Sequence, residues 1–222
     1  MTTWPVPGRQ ARRGMPIARR SPGDGGWCFP FDPYVPAARS PALWRPEIAP
    51  GTVSLHPAPS GYPSVARFDV AGFGPVLADH EGANGRHLVI DDPGGRIRLW
   101  LVEPRHYSGL VILVAPDADY PLRRAVADRV ARRLQGAPAG RQPRAFLPTD
   151  FQRHRLTMLL RLLELLAAGL STRELADETV YPGLGLHGSE WRSANERRQV
   201  QRLRDEAMHL TETGYLDLLR GR

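Results

Sequence analysis

The chain has 222 residues, of which 41% are hydrophobic, so it is long enough for a packed core and for two small domains. Its single cysteine, Cys28, excludes an internal disulfide and a zinc site built from several thiolates, which predicts a cytoplasmic protein. The formal charge of +7 favours a polyanionic partner, and nucleic acid is the commonest of these. All 30 basic residues are arginine, whose planar fork binds phosphate or a guanine edge with two hydrogen bonds. No apolar stretch is long enough to span a membrane, so we expect no membrane partner.

The first part of the chain is rich in proline and lacks a periodic hydrophobic pattern. Residues 1–26 mix Pro, Gly and Arg, which predicts a disordered basic arm without an export signal. Residues 27–63 add aromatic side chains, including Trp27 and Trp44, to a Pro-rich sequence. We therefore expect this second stretch to lie on a surface as an extended strap.

A β-rich unit with a closing helix is predicted over residues 64–135. Short apolar segments with strand character occur at 52–56, 86–90, 97–102 and 110–114. The turn formers of residues 91–95 predict an antiparallel hairpin between the two central segments. A helix should begin at Pro121 with Leu122, Val126 and Val130 on one face, and its other sides should carry Arg123, Arg124, Arg129, Arg132 and Arg133.

Residues 136–150 are interpreted as a linker, and residues 151–222 as an all-helical module. A leucine-rich helix stops at Gly169, and a capping box from Ser171 to Glu174 starts the next helix. Leu175 and the small Ala176 would form the buried side of this helix. Such a helix is typical of the first half of a helix-turn-helix, so the predicted fold class is α+β.

The next helix follows an unusually long turn. Residues 181–191 separate the two helices, whereas the usual turn has about three or four residues. A second capping box from Ser193 to Glu196 is expected to open a helix over residues 194–210. Val200, Leu203, Ala207 and Leu210 should face inward on it.

The opposite side of this helix is the candidate DNA-reading surface. Asn195, Arg198 and Arg202 fall there at spacings of three and four, and these side chains suit adenine and guanine edges. The candidate phosphate contacts are Arg192, Arg197, Arg204 and Arg173. Five Arg and one Glu occur in residues 192–204, whereas residues 205–217 contain four acids and no Arg. The amino-terminal end of the helix is therefore the basic one, and it is this end that commonly enters the groove.

These residues resemble a known family of proteobacterial regulators. The similarity is carried by residues 159–163, 168–176, 200–204 and 214–220, and residues 31–33 and 43–47 resemble the segment preceding the domain in longer members. The family was described as a domain of unknown function and as a type VI secretion transcription-factor-like DNA-binding domain. The resemblance implies an extended-turn helix-turn-helix in regulators of conjugative-element transfer, encoded on mobile DNA. It also implies a basic helix face at Arg192, Arg197, Arg198 and Arg202.

Two other functions are weighed against DNA binding. The sequence has no lysine for a phosphate-binding P-loop, no His-Glu-x-x-His and no Gly-x-Ser-x-Gly, so we expect neither an enzyme nor a cofactor. The alternative is a protein-binding antiactivator that docks on the activation domain of a partner regulator. Full activators of the family begin with a further helical domain that has no counterpart ahead of Trp27, so a companion chain could supply it. A ligand-binding role for the β-rich unit stays open.

Overall fold

The structure is a computed structural model that describes residues 41–62, 68–103 and 109–222. The predicted basic arm, residues 1–26, and the strap as far as residue 40 lie outside the described residues.

A five-stranded sheet forms the first half of the described chain. Its strands are β1 (Thr52–Pro57), β2 (Val76–Gly82), β3 (Gly85–Ile90), β4 (Ile97–Leu101) and β5 (Leu110–Leu113). Their order is β2-β3-β4-β1-β5, with β1 parallel to β4 and the other neighbours antiparallel. The predicted hairpin between β3 and β4 is confirmed, as are the segments that form β1 and β5. Strand β1, from the predicted strap, lies inside the sheet.

Strand β2 was not predicted from the sequence. Its side chains are exposed or half-buried along its whole length, and among the described strands it pairs only with β3, at the sheet edge. An edge strand needs no alternating buried side, so its sequence carries little of the pattern that identifies a strand.

The predicted closing helix is confirmed as α1 (Tyr120–Leu134), with a proline in its first turn. Val126 and Val130 pack against the sheet residues Leu55, Leu88 and Ile97 in one core cluster. This packing covers one face of the sheet with the helix.

Two of the arginines that we placed on the other sides of this helix, away from its apolar face, are buried. Arg123 is 8% exposed and donates to the carbonyl of Pro46 at 2.6 Å, while its Nε contacts Asp117. Arg129 is 3% exposed and donates to the carbonyls of Gly95 and Gly140. The sequence did not predict this burial, because helical periodicity does not show that neighbouring loops supply acceptors for a buried guanidinium.

The segment after α1 packs against the sheet unit. The amide of Gln142 donates to the carbonyl of Gly94 at 2.7 Å, and Ala139 is 1% exposed. A single 3-10 turn, Arg144–Phe146, brings the Phe146 ring within 3.2 Å of where a side chain on Gly51 would begin. The residues interpreted as a linker are thus held to the first unit by backbone bonds and side-chain packing.

Five helices make up the carboxy-terminal region. They are α2 (Asp150–Ala167), α3 (Thr172–Leu175), α4 (Gly188–Ser193), α5 (Asn195–His209) and α6 (Tyr215–Leu219), and π-helical turns extend α3 through Ala176–Val180 and α5 through Leu210–Gly214. Gly169 has a φ of +90° and ends α2, as predicted. The predicted α+β architecture is therefore confirmed.

The helical region has its own core. Leu159 and Leu162 of α2 pack in one cluster with Leu175, Val200 and Leu203. Leu160 is 59% exposed, so α2 leaves one side open. Within the described residues, no helix combines the length and the hydropathy that a membrane span requires.

The two halves also contact each other. The ring of Trp44, which precedes the sheet, lies 5.7 Å from the ring of Tyr215 on α6. Arg222 donates to Asp119, directly ahead of α1, at 2.9 Å. The carboxy terminus of the helical region is therefore held against the sheet unit.

Candidate nucleic-acid interface

Helix α3 is fixed at its start by the predicted capping box. The amide of Ser171 donates to the Glu174 carboxylate at 2.8 Å, and the amide of Glu174 approaches the Ser171 oxygen at 3.4 Å. The hydrogen bond from the Ser171 hydroxyl holds the pKa of Glu174 below its usual range. Leu175 and Ala176 are fully buried behind this turn, so α3 is locked between its cap and the core.

Helix α5 is amphipathic in the predicted way. Val200, Leu203 and Ala207 are each at most 3% exposed and pack in the helical core. Asn195, Arg198 and Arg202 lie on the other side of the helix and are exposed. The three candidate base-contacting side chains therefore form one accessible row on a helix whose other side is anchored.

Within this row, Arg198 differs from its neighbour Arg202. Arg202 donates to the side-chain oxygen of Gln199 at 2.9 Å. Arg198 makes no hydrogen bond or ion pair with any residue of the described ranges. Its guanidinium is thus free to bind an external acceptor without first breaking an internal contact.

The four candidate phosphate contacts differ in their exposure and in their partners. Arg192 is exposed at the end of α4, and Arg197 donates to its backbone carbonyl at 3.2 Å. Arg173, on α3, has its Nη1 2.7 Å from the Nδ1 of His187. Arg204 is half-buried and is paired with Asp205 at 2.8 Å, so its charge is partly neutralised.

Acidic residues limit the basic surface of α5. Asp205 follows Arg202 on the exposed side, and its side chain is 65% exposed. Glu206 is turned toward α2, where it forms an ion pair with Arg155. The basic surface therefore ends about halfway along α5.

The segment between α3 and α5 contains an element that we did not predict. Residues 181–187 are irregular, but residues 188–193 form α4 inside the stretch expected to be a turn. Trp191 on α4 is 9% exposed and joins the helical core, with Tyr181, Leu184 and Leu186 packed around that core. The sequence signal that could have predicted this buried position is a large aromatic residue, Trp191, in the segment between two helices.

The prediction of a second capping box, from Ser193 to Glu196, is wrong. Ser193 is the last residue of α4, and its hydroxyl donates to the carbonyls of Ser189 and Glu190 at 3.1 and 3.2 Å. Ala194, in an extended conformation, is the N-cap of α5 and makes no side-chain cap bond. Ser193 is still part of α4 and precedes the N-cap of α5, so its hydroxyl lies against the carbonyls of α4 and does not cap the free amides of α5.

The helical region is similar to a known protein family. Residues 113–220 match the family model described as "T6SS, Transcription factor, DNA binding domain". The helical region is therefore similar to a DNA-binding domain. This likeness supports DNA as the partner and a role in transcription.

The DNA-binding domain model covers more than the helices. It begins at residue 113, in β5, and so includes α1 and the packed segment that follows. Residues 51–112 match a domain of unknown function, DUF7012, which spans the sheet. No curated protein and no solved structure matches the chain.

Proposed function

We propose that this chain is a sequence-specific transcription regulator that places the amino-terminal half of α5 in the DNA major groove. The observation that carries this proposal is the exposed row of Asn195, Arg198 and Arg202 opposite the buried row of Val200 and Leu203. Asn pairs with adenine and Arg with guanine through two hydrogen bonds, so this row can read base edges. The buried row fixes the rotation of the helix and thereby decides which side chains reach the bases.

Phosphate contacts from the surrounding arginines would set the position of α5 on the duplex. Arg192 and Arg197 lie at the amino-terminal end of α5, Arg173 lies on α3, and Arg204 lies farther along α5. Phosphate contacts carry no sequence information, but they fix the register of the protein and make binding salt-dependent. With four such contacts, log K should fall with log salt at a slope of about −4.

The proposed target genes follow from the resemblance and from the family description. Regulators of conjugative-element transfer act on genes of mobile DNA, and we propose the same gene class here, in the bacterial cytoplasm. The matched model is described as belonging to T6SS, which makes secretion genes a second target class. Chromatin immunoprecipitation with sequencing separates the two, because bound promoters would lie beside integrase and transfer genes in the first case only.

The base-reading row is tested with two double variants of equal charge. R198A/R202A removes two arginines from α5, whereas R153A/R161A removes two exposed arginines from α2. Fluorescence anisotropy with the recovered promoter site and with a scrambled duplex measures the preference for the site. We expect R198A/R202A to lose the preference by a factor of about 10 or more, because each paired base contact contributes about 1–3 kcal/mol.

The control variant R153A/R161A should retain the preference for the promoter site. Its affinity should fall only slightly, and by the same factor for both duplexes. If R198A/R202A discriminates the two duplexes as well as the unmodified chain does, α5 does not read the bases. If both double variants weaken binding equally, the contact with DNA is purely electrostatic.

The second candidate function is a protein-binding antiactivator or a regulator that works with a companion chain. Exposed apolar side chains favour it, since Phe151 and Leu160 of α2 are 75% and 59% exposed and Met208 of α5 is 44% exposed. Such a complex would survive the R198A/R202A substitution. Loss of the complex on Phe151→Ser and Leu160→Ser, with DNA binding intact, would identify this surface as the partner site.

A further inference from the structure

A cavity of about 620 Å³ lies between the sheet unit and the helical region. Val53 and Ile97 of the sheet and Val130 of α1 line one side, and Leu156 of α2 and Leu210 line the other. Phe146, from the segment that joins the two halves, also lines it. The volume falls within the range of clefts that hold small organic molecules, and the wall is mostly apolar, as in such sites.

The charged residues of this wall are strongly biased toward one sign. Six arginines line the cavity, together with a single acid, Glu206. Arg155 is paired with Glu206, and Arg222 is paired with Asp119. Arg129 is held by Asp92 and by backbone carbonyls. The wall therefore carries an excess of positive charge even after its internal ion pairs are formed.

Arg98, on β4, is the residue of this wall that most needs a ligand. Its Nε is buried without a hydrogen-bond partner, and the residue makes no hydrogen bond or ion pair within the described ranges. Burial also lowers the pKa of its guanidinium, with a further contribution from Arg96. Arg98 as a whole is half-buried, but its buried N–H without an acceptor is costly in free energy, and an anion in the cavity would reduce that cost.

We propose that this cavity binds an amphipathic small-molecule anion, whose carboxylate pairs with Arg98 while its apolar body lies against Phe146 and Leu156. The apolar wall accounts for the body of the ligand, and the unpaired arginine accounts for its charge. A neutral apolar molecule would leave Arg98 unpaired, and a second cation would be repelled by the surplus of arginine. Neither alternative fits the wall as well as an anion does.

Decanoate, below its micellar concentration, is the probe that tests this proposal on the full chain. Titration calorimetry should show one saturable site, and the melting temperature should rise by about 5 °C at a hundredfold excess over Kd. Decanol and decylammonium have the same chain with neutral and positive head groups. We expect both to bind at least ten times more weakly than decanoate.

Two pairs of variants assign the binding to this cavity. Arg98→Gln should weaken decanoate at least tenfold, while Arg86→Gln, on β3 outside the cavity, should not change it. Leu147→Trp fills the mouth of the cavity from a position that is 51% exposed. Leu160→Trp places the same side chain outside the cavity wall, at a position that is 59% exposed, and serves as its control.

Each outcome decides for or against the proposal. Absence of saturable decanoate binding overturns it, as does equal affinity for decanol or decylammonium. Should Arg98→Gln fail to fold, Leu147→Trp still decides, because an exposed substitution should block the ligand without unfolding the chain. Unchanged decanoate binding in Leu147→Trp places any site elsewhere and also overturns the proposal.

Discussion

Arg155 of α2 and Glu206 of α5 form a two-point ion pair, in which Nε of the arginine lies 2.9 Å from Oε1 of the glutamate and Nη2 contacts Oε2. The hydrogen bonds that Arg155 donates to Glu206 raise the pKa of Arg155 above its usual range. The ion pair links the carboxy-terminal half of α5 to α2, whereas the basic half of α5 extends beyond this link.

This ion pair should contribute little to stability because both side chains are partly exposed, at 42% and 36%. Solvent screening leaves such pairs a coupling energy of about 1 kcal/mol or less. A double-mutant cycle with Arg155→Ala and Glu206→Ala, followed by urea unfolding, measures this coupling directly. A coupling well above about 2 kcal/mol would show that the pair fixes α5 more firmly than its exposure indicates.

Neutralising Asp205 should strengthen DNA binding. Asp205 borders the exposed row of α5 and pairs with Arg204, so Asp205→Asn removes a negative charge and releases a positive one. We expect an affinity gain of about two- to fivefold at low salt, corresponding to ~0.4–1 kcal/mol, with a steeper salt dependence. Asp150→Asn, at the start of α2 and 98% exposed in its side chain, makes the same charge change elsewhere. Equal gains in both variants would indicate net charge alone and not the position of α5 on DNA.

Removing the carboxylate of Asp92 should destabilise the sheet unit. The Asp92 side chain is 2% exposed and lies between Arg129, at 3.5 Å, and Arg133. Asp92→Asn leaves the buried Arg129 without its counter-ion, which typically costs about 3–5 kcal/mol. Urea unfolding measures the loss. Asp128→Asn, which breaks an exposed pair with Arg124, should change stability by about 0.5 kcal/mol or less.

The two serines that precede α3 and α5 should behave differently. Ser171→Ala removes a formed cap and should cost about 1 kcal/mol. Ser193→Ala removes only bonds to carbonyls within α4, so its effect should stay near 0.5 kcal/mol or below. Thermal unfolding of both variants gives the comparison. Equal losses would mean that Ser193 supports α5 in a way that its hydrogen bonds do not show.

Acid should destabilise the fold through His87. This residue is 2% exposed and is stacked on Trp100 at 6.0 Å, and burial, with the nearby His80, lowers its pKa from 6.5 to about 4. Protonation therefore favours the unfolded chain, so stability is full above pH 6.5 and falls as the pH drops toward 4. The contribution is about 3 kcal/mol.

The His87→Gln variant isolates this effect from that of the carboxylates. Its unfolding free energy should fall less steeply than that of the unmodified chain between pH 6.5 and 4, as measured by urea unfolding. Parallel pH profiles for the two proteins would assign the acid sensitivity to other groups.

Local sequence patterns were sufficient wherever a helix or strand is fixed by its own periodicity. The buried side of α5, with Val200 and Leu203, follows from spacing alone, and so does the exposure of Arg198 and Arg202. The capping box could also be predicted from the sequence, because its two partners, Ser171 and Glu174, lie within four residues of each other. The exposed row of the candidate site could therefore be predicted from the sequence alone.

Contacts between distant residues could not be predicted in this way. Arg129 carries the same local signature as the exposed arginines of α1, and only the loops around Asp92 and Gly140 make its burial possible. Ser193 resembles a cap, but it is the last residue of α4, and its hydroxyl donates to carbonyls of that helix. Trp191 packs in one core with Leu175 of α3 and Val200 of α5, and no local sequence pattern shows contacts between separate helices.

The sequence by itself determined the α+β order of elements, the orientation of α5 and the basic row on its open side, since each depends on a repeat of two or 3.6 residues. Tertiary structure alone decided which charges are neutralised and which stay available. Arg204 and Arg155 are paired, whereas Arg198 and Arg98 make no hydrogen bond or ion pair within the described residues. A guanidinium reaches acceptors from any part of the folded chain, so its pairing follows from three-dimensional proximity and not from its position in the sequence.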